Sequence, residues 1–373
     1  MKVIISGGGT GGHIYPAIAI ADALKVEQKD IDILFVGAEG KMEMEKIPKA
    51  GYPIEGLWIS GFHRKLTLRN LLFPFKLLSS LWKARRILKR FKPDAVVGVG
   101  GFASGPTLEM ASRLGIPTLI QEQNSYAGVT NKLLAKKANR ICVAYQNMER
   151  FFPKEKIRWT GNPVRSDINE LVDKKEAGLT HFQLDKNKQT ILLFGGSLGA
   201  KTLNEAMAAN TENIAKEVDI QIIWQAGKLY YDAYKDTATA ALPNVQIRPF
   251  LDRMDLAYAV ADIVICRAGA LTISELCIVG KPAVLIPSPN VAEDHQTQNA
   301  LALVEKEAAQ LVKDKEAKER MIPAAIHIMR NNIIKNELSR NIRQLVKPNA
   351  AQEIAKEVIK LVKLFICSSC LFI

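Results

Sequence analysis

The stretch KVIISGGGTGGHIYPAIAIADAL, residues 2–24, sets an apolar β-branched run against a glycine-rich turn and then a helical pattern. Strand, tight turn and helix in that order open a βαβ unit, whose first turn brings backbone close to a ligand. Gly7, Gly9 and Gly12 fit the GxGxxG spacing of a dinucleotide site. Such a site needs a ribose-binding acid at the end of the second strand, where only Glu39 in GAEG stands nearby. The lysine of a P-loop is missing as well, and His13 stands in its place. The turn therefore suits phosphate or sugar better than triphosphate hydrolysis, with a dinucleotide-binding oxidoreductase as the weaker alternative.

Outward from this turn, short β-branched runs alternate with helical patterns along the 373 residues. That alternation predicts parallel sheets wrapped by helices. Strands are expected at Lys2 to Ser6, Ile31 to Gly37, Ala95 to Val99, Pro117 to Gln121 and Arg140 to Val143. A second set is expected at Thr190 to Gly195, Gln221 to Gln225, Val245 to Pro249, Ile263 to Arg267 and Ala283 to Pro287. The fold class is α/β, with two doubly wound Rossmann-like domains facing a cleft. TGNPVR, residues 160–165, has the Gly and Asn-Pro punctuation of a linker, which puts the domains at 1–162 and 163–349. A last helix, about 350–364, can pack back on the first domain.

Charge divides the two halves. Residues 1–160 carry 25 basic and 13 acidic residues, whereas 161–373 carry 26 and 25. From Gly56 to Lys92 there are ten basic residues and no acid. The first half should meet something anionic. Within it, LTLRNLLFPFKLLSSLWKARRILKR, residues 66–90, mixes cations with large apolar groups. Leu71, Leu72, Phe75, Leu78 and Trp82 can share one face of a helix that starts near Pro74, as an interfacial membrane helix requires. No helix-turn-helix or zinc ligand set accompanies the charge, so nucleic acid is not expected. No apolar run reaches the roughly 20 residues of a membrane span, and the first residues lack the pattern of a signal peptide. Cys142, Cys266, Cys277, Cys367 and Cys370 read as reduced thiols, and the lone CxxC at 367–370 reads as packing rather than zinc.

Three glycine turns follow strands and precede helices: GGGTGGH at 7–13, GVGGFASGP at 98–106 and FGGSLGA at 194–200. Free N–H groups at the following helix starts offer sites for phosphate oxygens. His13, at the mouth of a helix beside glycines, is placed to accept a proton from a ligand. In CRAGALTISEL, residues 266–276, a helix is expected from about Thr272, with Glu275 either completing a capping box with Thr272 or gripping a vicinal diol. PSPNVAEDHQTQNAL, residues 287–301, puts His295, Gln296, Gln298 and Asn299 at another helix start, where amides suit sugar hydroxyls.

Taken in order, GGGTGGHIYPA, GFHRKL, PDAVVGVGGFASGP, IPTLIQEQNSYAGVTNK, TGNPVR, FGGSLGA, CRAGALTISEL and IPSPNVAEDHQTQNA resemble the MurG-type enzymes of glycosyltransferase family 28. The resemblance spans nearly the whole chain and implies a GT-B glycosyltransferase of peptidoglycan synthesis. Its donor would be UDP-N-acetylglucosamine and its acceptor undecaprenyl-diphospho-MurNAc-pentapeptide (lipid I), with lipid II as product. Another GT-B lipid glycosyltransferase is the nearest alternative. The resemblance implies Thr10, Gly11, Gly12 and Asn124 at the donor sugar, Arg165 and Ser197 at its diphosphate, and the backbone of Leu251 at the uracil. It also implies Ala270, Leu271 and Thr272 at the diphosphate, Glu275 at the ribose, and His295 with Gln296 at the sugar. Gly12, Gly100, Gly101 and Ser104 would hold the acceptor diphosphate, and His13 would be the catalytic base. No metal or cofactor is implied, and the enzyme would sit peripherally on the cytoplasmic side of a bacterial inner membrane, on an anionic surface. Leu198 departs from the GGSQGA common in this family, so the resemblance carries over backbone contacts at 198 and not a side-chain one.

Overall fold

The computed structural model describes residues 1–61, 72–164, 168, 171–196, 198–291 and 294–370. They fall into two compact units, Met1–Val164 with Pro348–Ile373, and Arg165–Lys347, so the division comes two residues past Asn162.

The first unit runs β1 (Lys2–Ser6), α1 (Gly11–Glu27), β2 (Asp32–Ala38), α2 (Glu43–Lys49), β3 (Ile54–Leu57), α3 (Phe73–Phe91) and β4 (Ala95–Gly98). It continues through α4 (Ser104–Arg113), β5 (Thr118–Glu122), α5 (Val129–Leu134), β6 (Arg140–Val143) and β7 (Ile157–Trp159). Among the described residues its strands form one sheet in the order β3-β2-β1-β4-β5-β6-β7, every pair parallel.

The second unit runs α6 (Lys175–His181), β8 (Gln189–Phe194), α7 (Lys201–Ala209), α8 (Thr211–Ala215), β9 (Ile220–Gln225), α9 (Tyr231–Tyr234), β10 (Val245–Arg248) and α10 (Met254–Val260). Then come β11 (Ile263–Cys266), α11 (Ala270–Val279), β12 (Ala283–Leu285), α12 (His295–Val304), β13 (Gln310–Leu311), α13 (Ala317–Arg330) and α14 (Asn332–Gln344). Its strand order is β10-β9-β8-β11-β12-β13, again parallel. The last helix, α15 (Ala350–Cys370), belongs to the first unit.

Because side chains alternate along a strand, a sheet covered on both faces needs apolar residues at every position. In β1, Val3 and Ile5 join one core with Ile20 and Leu24 of α1 and with Ile354 and Val358 of α15. Ile4 points the other way, into a core with Ile87 and Leu88 of α3 and Leu108 of α4. Helix α15 thus covers the sheet beside α1, and Glu357 on it pairs with Arg140 at 3.2 Å. The strands not anticipated, β3, β7 and β13, are all short edge strands with polar or glycine positions, which carry little periodic signal.

Helix α3 starts with Pro74 in its first turn and stops at Lys92, whose φ of 53° is left-handed. It buries Ser80, Ala84, Ile87 and Leu88 and leaves Phe75, Leu78 and Trp82 about two-thirds exposed at 66%, 66% and 65%. Leu72, just before it, is also exposed, and Leu71 lies outside the described residues. The surrounding charge is less one-sided than the local sequence reads. Glu39 accepts from Lys83 at 2.7 Å and Glu55 pairs with Arg90, both acids arriving from before residue 56. No helix of the described residues is long and apolar enough to cross a membrane. Cys142, Cys266 and Cys277 are buried free thiols, but Cys367 is exposed, so this cysteine of the CxxC does not serve packing as expected. Its helix has by then run past the core residues Leu361 and Val362.

Candidate active site

In the first sheet the strand order reverses between β1 and β4, and the two glycine turns that follow these strands meet there. Gly101 has φ +84°, and a Cβ on it would lie 2.3 Å from the Gly8 carbonyl oxygen, so only glycine lets the two backbones touch. Glu43, 1% exposed, ties the first turn down: its Oε2 accepts from Gly9 N at 2.9 Å and its Oε1 from Ala38 N at 3.0 Å.

His13 lies in the first turn of α1, with Thr10 at the N-cap position and Gly11 and Gly12 between them. Its Nδ1 is 3.0 Å from the Gly8 carbonyl oxygen and 3.3 Å from Thr10 Oγ1. A carbonyl only accepts, so Nδ1 carries the hydrogen and Nε2 of the neutral ring carries the basic lone pair. That edge of the ring lies against Gly100, φ +90°, where an added Cβ would sit 3.0 Å from both Nε2 and Cδ2. His13, Gly100 and Gly101 are therefore brought together. Ser104 opens α4, but its hydroxyl is buried and donates to the Gly101 carbonyl at 3.0 Å. It fastens the turn.

Asn124 is held by Glu122, a buried carboxylate at the end of β5. Glu122 Oε1 accepts from Asn124 N at 3.0 Å and Nδ2 at 3.3 Å, while Oε2 accepts from Gly128 N at 2.9 Å and Asn131 Nδ2 at 2.8 Å. Four donors on one carboxylate fix the loop that presents Asn124.

The second sheet repeats the arrangement. Its order reverses between β8 and β11, and the turns that follow open on a cavity of about 370 Å³. Gly195, Gly196, Gly199, Gly269, Thr272 and Gln296 are among its lining residues, together with Lys201, Arg267 and Asn290. Gly199 (φ +84°) and Gly227 (φ +90°) are in backbone contact and admit no Cβ. Helices α7 and α11 both begin at this cavity, α11 at Ala270 with Gly269 at the N-cap position. Ala270, Leu271 and Thr272 thus form its first turn, at the positive end of the helix dipole, which favours an anion. Arg165 and Ser197 lie outside the described residues.

Helix α11 starts two residues earlier than expected, and no side chain caps it, so the Thr272 and Glu275 capping box does not form. Glu275 sits in the second turn, where its Oε2 accepts from the Tyr258 hydroxyl at 2.9 Å. Burial, with the Glu275 charge adding to it, pushes the nearby Cys266 thiol well above its ordinary range. Gln296 Oε1 accepts from Ser288 N at 2.9 Å, which turns the amide's donor end away from that strand exit. His295 opens α12, and Asn299 is buried with its Nδ2 on the Ala268 carbonyl at 3.3 Å, a structural use of an amide that reads as ligand-facing in sequence.

The sequence of this chain matches two domain families. The glycosyltransferase family 28 N-terminal domain matches residues 3–143, and the family 28 C-terminal domain matches residues 190–358. A Flavobacterium psychrophilum protein named as the UDP-N-acetylglucosamine--N-acetylmuramyl-(pentapeptide) pyrophosphoryl-undecaprenol N-acetylglucosamine transferase is 56% identical over 362 residues, covering 97% of this chain and 98% of that one. The chain belongs to glycosyltransferase family 28.

The crystal structure of MurG from Acinetobacter baumannii superposes with a TM-score of 0.77 at 31% identity, covering 96% of this chain and 99% of that one. UDP-GlcNAc 2-epimerase from Neisseria meningitidis shares the fold alone, with a TM-score of 0.67 at 15% identity over 96% of this chain and all of that one. The family 28 chain is thus a two-domain α/β Rossmann-like protein of GT-B type. Its C-terminal family match runs to residue 358, inside α15, although α15 packs on the first sheet.

Four residues beside these turns escaped sequence reasoning. Nothing in the sequence around Glu43 or Glu122 signals that each is buried under backbone N–H groups. Arg267 stands within the quoted CRAGALTISEL, but its partners are distant: it donates to the Ile286 carbonyl at 3.0 Å and to Asp314 at 2.5 Å. Gln225 ends β9 and bridges two turns, donating to the Gly196 carbonyl at 2.9 Å and accepting from Leu251 N at 3.0 Å.

Proposed function

We infer that the chain moves N-acetylglucosamine from UDP-GlcNAc to the C4 hydroxyl of MurNAc in undecaprenyl-diphospho-MurNAc-pentapeptide, forming lipid II with inversion at the anomeric carbon. The observation that carries this is 56% identity along 97% of the chain to a relative of that named activity. Family membership alone would leave the acceptor open.

In this reading the acceptor oxygen bonds to the anomeric carbon as the bond from that carbon to the β-phosphate oxygen breaks. The bonding pair leaves with UDP, and the hydroxyl proton passes to His13 Nε2. The Gly8 carbonyl on Nδ1 orients the ring and stabilises the imidazolium that forms. The first-turn N–H groups of Ala270, Leu271 and Thr272, the turn at 195–200 and Arg165 stabilise the negative charge growing on UDP. Glu275 accepts the ribose hydroxyls, the Leu251 backbone meets the uracil, and Gln296 with His295 meets the sugar. Thr10, Gly11, Gly12 and Asn124 complete the sugar contacts. Gly12 and the Gly100–Gly101 turn hold the acceptor diphosphate through backbone N–H groups. Leu72, Phe75, Leu78 and Trp82 enter an anionic membrane surface, with Arg85, Arg86 and Lys89 at the headgroups, which makes the enzyme peripheral to the membrane that carries its acceptor.

The test is transfer of labelled N-acetylglucosamine from its UDP donor to a lipid I analogue, with UDP-glucose as control. Formation of labelled disaccharide lipid only with UDP-GlcNAc is expected. Transfer to diacylglycerol in place of lipid I would overturn the acceptor assignment.

A further inference from the structure

Glu275 is a flexible side chain on the second turn of α11, and freezing such a chain costs conformational entropy. A carboxylate held in place before the ligand arrives avoids that cost on binding. We propose that Tyr258 is the positioning residue of the ribose clasp, its hydroxyl fixing the Glu275 carboxylate toward the diol. The proposal rests on the reading of Glu275 given above.

Tyr258 lies on α10, an element that carries no assigned ligand contact, and it is fully buried. It therefore acts on the donor through Glu275. A buried phenol needs a hydrogen-bond partner, and its O–H reaches Glu275 Oε2 at 2.9 Å. The ring is itself held: it packs edge-on against Phe194, with centroids 6.1 Å apart and planes at 83°. Phe194 is the last residue of β8 and lines the 370 Å³ cavity, so the tyrosine is referenced to the cavity wall. Helix α10 is pinned next to Tyr258 by Asp255, which pairs with Lys174 at 3.0 Å and Arg253 at 2.9 Å. The Tyr258 hydroxyl takes one of the two lone pairs that Oε2 offers.

Tyr258→Phe keeps the ring and removes only the hydroxyl. The assay uses the full chain with two donors, UDP-GlcNAc and its analogue built on 2′,3′-dideoxyuridine, which has no diol to grip. With UDP-GlcNAc, KM is expected to rise roughly 5- to 30-fold with kcat kept. With the dideoxy donor the same substitution should change KM less than twofold, a selectivity that loosened packing would not produce. Equal losses with both donors, or no change with UDP-GlcNAc, overturn the proposal. Glu275→Ala in the same assay separates the two readings. If it penalises only UDP-GlcNAc while Tyr258→Phe does not, the positioning role alone fails. If Glu275→Ala costs both donors equally, the clasp itself is wrong and the proposal falls with it.

Discussion

Gln225 Oε1 accepts the backbone N–H of Leu251 at 3.0 Å while its Nε2 donates to the Gly196 carbonyl at 2.9 Å, so one buried amide joins the turn after β10 to the turn after β8. The N–H at 251 is therefore already engaged, and a base meeting this backbone has the carbonyl left to contact. Gln225→Glu keeps the acceptor toward Leu251 and loses the donor toward Gly196. A bond of this kind contributes about 1 kcal/mol, and a carboxylate facing a carbonyl costs more. The expected result is a 10-fold or greater rise in donor KM, with Gln225→Leu as severe; steady-state kinetics at varied UDP-GlcNAc checks it.

His13→Ala should lower kcat by about 10²- to 10⁴-fold, the usual contribution of a positioned base, with UDP affinity within about twofold. Gly100→Ala should act through the same ring. Its Cβ would press on Nε2 and Cδ2 from 3.0 Å, and its φ of +90° is strained for any L side chain. Unchanged turnover with calorimetrically normal UDP binding in His13→Ala would remove it as base.

Leu78→Glu with Trp82→Glu puts two charges on the exposed face of α3, away from Ala84, Ile87 and Leu88, which hold the helix to the sheet. Thermal stability should stay within a few degrees. Sedimentation with vesicles rich in phosphatidylglycerol should fall at least 10-fold, and binding that persists would sink the membrane assignment.

Asp255 predicts a pH effect. Arg253 and Lys174 hold its carboxyl well below the usual carboxylate range. A depressed folded-state value means that the ion pairs stabilise fully above the unfolded value, roughly 3.9. That contribution is lost as pH falls from there toward the folded value. Asp255→Asn should cost about 2 kcal/mol at pH 7 and flatten the stability curve below pH 4, measured by urea unfolding across pH.

Much of the fold was legible because parallel strands covered on both faces leave continuous apolar runs. Lys2–Ser6 and Arg140–Val143 were placed to the residue, and most other interior strands to within one or two. The glycine turns were legible for a related reason, since backbone contact such as that between Gly101 and Gly8 tolerates no other residue. Burial of polar groups was not legible. Whether a glutamate is solvated, like Glu45, or buried under donors from Asn124, Gly128 and Asn131, like Glu122, depends on how the chain packs around it, even where the partners are only two to nine residues away. The same holds for charge: the acid-free run from Gly56 to Lys92 is real, yet Glu39 and Glu55 return two acids to it in space. Local pattern therefore decided the interior strands, the glycine turns and the family. Only the folded chain decided which carboxylates hold the turns still, that Glu275 answers to Tyr258 rather than to a helix cap, and that Ser104 and Asn299 serve backbone, because a polar side chain's burial and partners are set by how the chain packs around it and not by residue type.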